Sequence, residues 1–165
     1  MAAITDLTTL AYSSLLASDY FVVHDASAAT DKKIAPFESG TWTPVLLIGG
    51  SSTGITYVSG YPKGRYVRVG TLVWIGLELQ LTSKGGLTGT GLVIQGLPYG
   101  AHGTPLGGLA PRYVTGMASL TGQLIAYIST NITVVQMGAT GIASLTGSNV
   151  TDSMVLSMYG SYECA

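Results

Sequence analysis

The chain has 165 residues, enough for one sizeable core with at most a short appendage. Only 9% of the residues are charged and 47% are hydrophobic, whereas a soluble domain carries about 25% charged residues. The net charge of −1 excludes an electrostatic case for nucleic acid, and the low charge predicts that other protein chains cover much of the surface.

Neither membrane insertion nor a disulfide framework is expected. No run of roughly 18 apolar residues is present, so the sequence offers no membrane-spanning helix. Residues 1–16 have neither the basic start nor the cleavage pattern of a signal peptide. The single cysteine, Cys164, is expected to be a free thiol in a protein made in a reducing cytoplasm.

Residues 1–38 differ in composition from the remainder of the chain. They carry five of the eight acidic residues and two of the seven basic ones. Residues 20–25 predict a short strand, residues 32–34 predict a second strand that pairs back, and Pro36 ends it. Because a two-stranded hairpin is only marginally stable alone, this arm is expected to pack on a partner, with its own domain as the alternative.

From Gly40 onward the pattern predicts β-strands throughout. One strand is expected over residues 41–47, where Pro44 indicates a sheet edge or a bend. Further strands are expected at 55–58, 92–94, 112–114, 120–129, 132–137 and 153–162, with a glycine-rich loop over 99–108. This spacing is typical of an antiparallel β-sandwich, and we predict one of jelly-roll type.

Residues 66–86 carry the clearest alternation. Val67 and Val69 occupy alternate positions before a predicted Gly70-Thr71 turn, and five apolar residues alternate after it: Val73, Ile75, Leu77, Leu79 and Leu81. This period of two predicts a β-hairpin with one buried face. The opposite face, with Leu72 and Trp74, is too apolar for open water and is predicted to pack within a trimer or between sheets.

Charge is almost absent from the second half of the chain. Between Gly85 and Thr151, Arg112 is the only charged residue. Uncharged exposed strand edges invite edge-to-edge pairing, and a closed homo-oligomer would cover such faces. The sequence therefore predicts a homo-oligomer, and a trimer around a three-fold axis is the expected form.

No catalytic pattern is present, and the chain is predicted not to be an enzyme. His24 and His102 have no flanking motif, and the one Gly-x-Ser-x-Gly stretch, residues 50–54, is part of a predicted Gly/Ser loop. No His, Cys and Asp cluster has metal-ligand spacing, so neither a metal nor a cofactor is expected. Tyr61 and Tyr99 lie in loops with Gly and Pro and are the best candidates for glycan contact, although core or interface roles are commoner for such rings.

Several short segments together resemble a known family. They are GTWTP at 40–44, YVRVGTLV at 66–73, LTSKG at 81–85 and IQGLP at 94–98. In this order they resemble the distal β-sandwich of bacteriophage tail fibres and tailspikes, and the fold of trimeric phage decoration (cement) proteins. DYFVVHDAS at 19–27 and KKI at 32–34 are similar to the virion-attachment segment of many phage structural proteins. The resemblance implies a homotrimeric virion protein, with an attachment arm at 1–38 and a projecting sandwich at 39–165.

A long shaft or β-helix, which separates these parts in a tail fibre or tailspike, is absent here. The resemblance therefore implies a decoration protein on the outer capsid surface, which clamps neighbouring major capsid subunits, stabilises the head and aids host adhesion. The alternative is a short receptor-binding tip of a tail fibre or tailspike that recognises a host surface polysaccharide. The residues expected to contact the capsid are Tyr20, Phe21, Val22, Val23, Asp25, Lys32, Lys33 and Ile34.

Overall fold

The computed structural model describes residues 21–25, 30–34, 37–102, 107–119, 122–128, 134–139 and 145–165, with 21–25, 30–34 and 134–139 described by their backbone. The chain divides into two compact units, residues 1–38 and residues 39–165. Apart from one short 3-10 helix, Gly147–Asn149, the regular structure in these segments is antiparallel β-sheet. The predicted all-β antiparallel fold class is confirmed. No helix in the described segments is long and apolar enough to cross a membrane.

The first unit contains a two-stranded hairpin. Its strands are β1 (Phe21–Asp25) and β2 (Thr30–Ile34), which pair antiparallel with Phe21 opposite Ile34 and Asp25 opposite Thr30. The hairpin predicted from the sequence is therefore confirmed over these residues. Tyr20, predicted to belong to the first strand, lies outside the described residues.

Ten further strands form one antiparallel sheet. In chain order they are β3 (Glu38–Trp42), β4 (Val45–Ile48), β5 (Ile55–Tyr57), β6 (Lys63–Val69), β7 (Leu72–Lys84), β8 (Leu92–Gln95), β9 (Gly107–Met117), β10 (Leu124–Ile128), β11 (Val134–Ala139) and β12 (Val150–Glu163). Across the sheet the order is β3-β6-β7-β12-β9-β10-β11-β8-β4, and β5 pairs with β7 beside this path.

The sheet folds back on itself at Thr43 and Pro44. Only these two residues separate β3 from β4, yet the two strands are the opposite ends of the strand order. The three steps from Trp42 to Val45 span at most about 11 Å. The eight intervals of the strand order, at about 4.8 Å each, would put the two ends of a flat sheet about 38 Å apart, so the sheet cannot be flat. The prediction of a single strand over 41–47 was wrong, because Pro44 has no N–H to continue a ladder and the segment forms two strands. The predicted bend at Pro44 is confirmed.

The folded sheet encloses one hydrophobic core. The alternate residues Val73 to Leu81 of β7 all point into it and are at most 3% exposed, as the period of two predicted. Other core side chains come from β4, β8, β10 and β12: Leu46, Ile48, Leu92, Ile94, Leu124, Ile128, Met154, Leu156, Met158 and Tyr162. Among the described residues no polar or charged residue is buried, so apolar burial, worth about 25 cal/mol per Å², stabilises the folded sheet.

The central hairpin joins β6 to β7 through the predicted turn. Gly70 has φ 59°, a conformation that glycine adopts without a steric cost, and Val69 lies opposite Leu72. The alternation of Val67 and Val69 does not mark the buried side of β6, because these side chains are 40% and 46% exposed. The inner positions belong to Gly64, which is buried, and to residues that alternate with the valines.

β9 is longer than the strand predicted at 112–114, and it begins at Gly107, inside the predicted glycine-rich loop. Its pairing with β12 shifts register after Tyr113: Ser157 lies opposite Tyr113, but Met158 lies opposite Pro111. Arg112 is therefore the extra residue of a β-bulge. Bulges of this kind change the direction of a side chain at the sheet surface.

Candidate functional site

The outer face of β6, β7, β12 and β9 carries large exposed rings. Tyr159 is 58% exposed, Tyr113 57% and Trp74 47%. Residues that lie opposite each other in an antiparallel pair point to the same side of the sheet. Tyr159 is opposite Gly76, two residues from Trp74 on β7, and Tyr113 is opposite Ser157, two residues from Tyr159 on β12. The three rings therefore stand on one face.

These rings follow a diagonal across three strands. Trp74 on β7, Tyr159 on β12 and Tyr113 on β9 are each offset from the next by one strand and two residues. Diagonal neighbours of this kind lie about 7–8 Å apart. The aromatic side chains thus mark a track roughly 15 Å long over the sheet surface.

Three depressions lie along this track, with volumes of about 510, 390 and 510 Å³. The first shares Glu78, Arg112 and Ser157 with the second. It shares Arg65, Gly76 and Tyr159 with the third, so the three are continuous. We name the central part the outer groove and define it by Lys63, Arg65, Gly76, Glu78, Arg112, Tyr113 and Tyr159.

The outer groove concentrates positive charge. Residues 39–165 contain five Lys and Arg residues, and three of them line the groove: Lys63, Arg65 and Arg112. Glu78 is its one carboxylate. Within the described part of the chain, no hydrogen bond or ion pair engages the side chains of Arg65, Arg112 or Glu78. The two guanidinium groups are therefore available to an anionic ligand, which they can bind through paired hydrogen bonds.

Gly76 forms the floor of the groove. The side chains of β6 stand on one side of it and those of β9 on the other, and we call these two sides the banks of the groove. A Cβ placed on Gly76 would meet only the carbonyl oxygen of Met158, at 3.9 Å. The backbone at this position therefore tolerates a side chain, and that side chain would enter the groove. The absence of one leaves room beside Tyr159, which lies directly opposite on β12.

A second, apolar surface borders the groove. Val67 lies opposite Trp74 on the neighbouring strand, and Tyr127 lies opposite Gly108 in the same row across the sheet. Val67, Trp74 and Tyr127 are 40%, 47% and 43% exposed. We name these three residues the apolar row. Trp74 was predicted to pack within a trimer or between sheets. Nearly half of its side chain is exposed among the described residues, so it is not covered by another part of the sheet, and packing within a trimer stays a prediction.

The two tyrosines predicted to contact glycan lie in different places. Tyr61 borders the depression next to Glu78 and Arg112, with the Lys63 ammonium 4.5 Å from its ring centroid. Tyr99 packs against the core, and the Arg68 guanidinium lies 4.6 Å from its ring centroid. Since Lys63 and Arg68 are five residues apart on β6, these two sites are about 17 Å apart, and they do not form one site.

Tyr162 fixes the loop that carries Tyr99. Its hydroxyl donates to the Tyr99 carbonyl oxygen at 3.0 Å and accepts from the Tyr99 N–H at 3.2 Å. Desolvation by burial raises the pKa of Tyr162 to about 12, although the backbone hydrogen bond of Tyr99 opposes this shift. Burial likewise raises the pKa of Tyr57, whose hydroxyl accepts from the Leu46 N–H. Both tyrosine hydroxyls therefore hold backbone segments in place, and neither residue lines the outer groove.

Apart from Tyr20, which lies outside the described residues, the residues predicted to contact the capsid lie on the hairpin of the first unit. Val22 is opposite Lys33 and Val23 is opposite Lys32, while Phe21 and Ile34 form the end pair. Their role in attachment stays a prediction. The groove residues Arg65 and Tyr159 were not singled out from the sequence. Only the pairing of β6 with β7, of β7 with β12 and of β12 with β9 brings them together with Arg112 and Tyr113.

The groove has the chemistry of a binding surface. Aromatic faces and guanidinium groups bind planar rings and anions. Its lining holds one carboxylate and no His or Cys, and no group of three or more His, Cys, Asp or Glu in the described segments could hold a metal ion. The prediction that the chain is not an enzyme remains a prediction.

Comparison with known proteins reveals a likeness in fold. No family model matches the chain, and no curated protein matches it. The crystal structure of the Dettilon tailspike protein (gp208) is similar to it, with a TM-score of 0.65 and 18% sequence identity. The match covers 78% of this chain and 24% of the tailspike chain, so this chain spans about a quarter of that protein's length. Most of this chain therefore shares its fold with a part of a tailspike protein.

Proposed function

We propose that this chain is a structural component of a bacteriophage virion, and that its sandwich serves on the tail as a tailspike or tail-fibre domain that binds the host surface. One observation carries the proposal: the fold shared with the Dettilon tailspike protein over 78% of the chain. The exposed rings and cations of the outer groove give such a domain a surface for a host ligand. We therefore give the tail role precedence over the capsid role that the sequence suggested.

The same proposal includes a homotrimer, in which the apolar row supplies part of the subunit contact. Val67 and Trp74 lie side by side, and Tyr127 follows in the same row beyond Ser161 and Gly108. Large exposed apolar side chains on one face are typical of a protein interface. Obligate interfaces bury roughly 2,000 Å² or more, so the row would be one part of a larger contact. Light scattering should give three times the 17.0 kDa mass of one chain; a stable monomer would refute the trimer.

Fractionation of virions tests the location. Heads and tails from purified particles are separated, and peptides of this chain are quantified by mass spectrometry against the major capsid protein. The tail role predicts that the chain is found in the tail fraction at low copy number. Recovery with the heads, at a copy number close to that of the capsid protein, would contradict it.

Capsid decoration is the second candidate, and one observation favours it. The hairpin unit and the sandwich unit follow each other directly in the chain, at residues 38 and 39, with no shaft between them. In this role the hairpin would add strands to an exposed edge of the major capsid protein, and three linked arms would strengthen a weak single contact through effective concentration. Deletion of residues 1–38 should then leave a folded oligomer that no longer binds capsids.

A further inference from the structure

We propose that the outer groove binds an acidic oligosaccharide, with Arg65 and Arg112 on its carboxylate groups and Tyr113 and Tyr159 against its sugar rings. This inference rests on the proposed role in binding a host surface, and it specifies the class of ligand and the residues that recognise it. Neither tyrosine predicted from the sequence is required, although Tyr61 borders one end of the groove.

The distribution of charge supports an anionic ligand. Lys63 and Arg65 stand on β6, Arg112 stands on β9, and β7 and β12 lie between them. Three intervals between strands are about 14 Å wide. Cations on both banks of a groove of this width suit an extended ligand that carries more than one carboxylate. Each guanidinium can bind a carboxylate through two parallel hydrogen bonds.

The exposed rings favour a saccharide as the carrier of these carboxylates. Tyr113 and Tyr159 are more than half exposed and lie on one diagonal, with Tyr113 beside Arg112 on the β9 bank and Tyr159 on β12 between the banks. Their faces offer apolar contact to the C–H surface of a sugar ring, while their hydroxyls remain in water. Gly76 leaves the space opposite Tyr159 open for such a ring.

Two other occupants fit the charges less well. A nucleic acid partner is typical of a domain with a pI above about 9, whereas this chain has a pI of about 6.0. A second copy that packed here through its residues 39–165 would need acidic side chains from that range to enter the groove. Of the three acidic residues in 39–165, Glu78 already lines the groove, and the Asp152 carboxylate accepts from the Lys84 N–H at 2.7 Å. Only Glu163 remains.

The experiment uses the full chain on an array of uronate- and sialate-bearing oligosaccharides and their neutral counterparts. The tightest acidic oligosaccharide is then titrated by calorimetry against three groove variants: Gly76→Val, Arg65→Gln and Arg112→Gln. Arg68→Gln is the matched control, because it removes the same charge from a residue that lies over Tyr99 and not in the groove. Thermal unfolding establishes that each variant is folded.

The expected result is binding to acidic oligosaccharides only. Gly76→Val should abolish this binding, since its side chain fills the floor, and each arginine substitution should weaken it about tenfold. Arg68→Gln should leave it unchanged. Raising the salt from about 0.1 M to about 1 M should weaken binding further, because the Debye length falls from about 10 Å to about 3 Å.

Several results would overturn the inference. They are the absence of any acidic oligosaccharide among the bound glycans, equal binding of the neutral counterparts, and unchanged affinity in both arginine variants. A loss of oligomer mass in Arg65→Gln or Arg112→Gln, measured by light scattering, would assign the groove to a second copy instead. The virion fractionation is independent of these readouts, so the tail role can stand if the ligand assignment fails, and the reverse also holds.

Discussion

Substitution of Gly64 tests how tightly the edge strand β3 packs against β6. Gly64 lies buried on β6, next to β3 in the sheet. A Cβ on Gly64 would lie 2.6 Å from both the Nε1 and the carbonyl oxygen of Trp42. Trp42 is 8% exposed, and its Nε1 is a buried atom without a hydrogen-bond partner among the described residues. Gly64→Ala must therefore displace either the indole ring or the β3 backbone.

Overpacking of this kind costs about 1–3 kcal/mol, which corresponds to a fall in Tm of roughly 4–12 °C for a domain of this size. Gly76→Ala is the matched control, because it also lies in a strand and its Cβ would meet only an oxygen at 3.9 Å. That variant should be neutral or more stable by about 0.4–1 kcal/mol, since alanine restricts the unfolded chain. Thermal unfolding followed by circular dichroism and calorimetry measures both.

The comparison of the two alanine variants decides the matter. Equal Tm values for the two variants would show that a Cβ at position 64 fits beside Trp42, which would contradict the overpacking argument. A second variant, Trp42→Phe, distinguishes a clash with the indole ring from a clash with the β3 backbone, because it removes the Nε1 atom but keeps the carbonyl oxygen. The double variant Trp42→Phe and Gly64→Ala should therefore be destabilised by less than the sum of its single changes, because the two residues share one contact.

Two further predictions concern stability. Because the folded state holds the pKa of Tyr162 at about 12 while an unfolded tyrosine ionises near pH 10, its contribution is present below pH 10 and is lost as the pH rises to 12. The loss amounts to about 2–3 kcal/mol. Urea unfolding at pH 9 and at pH 11.5 should show that the free energy of unfolding depends less on pH in Tyr162→Phe than in the unmodified chain. An identical dependence in both proteins would contradict the assignment to Tyr162. Asp152→Ala removes the carboxylate that accepts from the Lys84 N–H at 2.7 Å, and it should lower the free energy of unfolding by about 1 kcal/mol, whereas an unchanged urea midpoint would show that water replaces this contact without cost.

The sequence predicted correctly those strands in which burial in the core alone determines the alternation of apolar residues. β7 is paired on both sides and has one face fully buried, so its five alternate apolar residues report the core directly. β6 lies one strand from the sheet edge, and the alternation of its valines does not mark its buried face. Its inner position 64 must be glycine to leave space for Trp42, and its valines remain on the outer face.

β9 shows why glycines led to the prediction of a loop. Gly107 begins this strand opposite Tyr162, and a Cβ there would lie 2.5 Å from the Cβ of Tyr162. Glycine in a strand often marks such a close approach. Because Tyr162 is distant in the sequence, its contact with Gly107 cannot be inferred from the local composition, which resembles that of a turn.

The outer groove could not be predicted for a related reason. Lys63 and Arg65 belong to β6, while Arg112 follows more than forty residues later on β9. These strands do not pair with each other, and both β7 and β12 lie between them. The low charge of the chain was interpreted as a sign of coverage by other chains, whereas the fold gathers most of the cations of the sandwich at one place.

The apolar row and the outer groove share one sheet face but can be separated by substitution. Trp74 and Gly76 differ by two positions on β7, about 7 Å along the strand. A subunit contact over the row can therefore leave the groove open at its edge. If this division is correct, Trp74→Ser should lower the oligomer mass in light scattering, and the dissociated chain should still bind the acidic oligosaccharide. Arg112→Gln should weaken that binding at unchanged mass. A single variant that changes both properties equally would mean that the two surfaces act as one site, with the ligand bound between subunits.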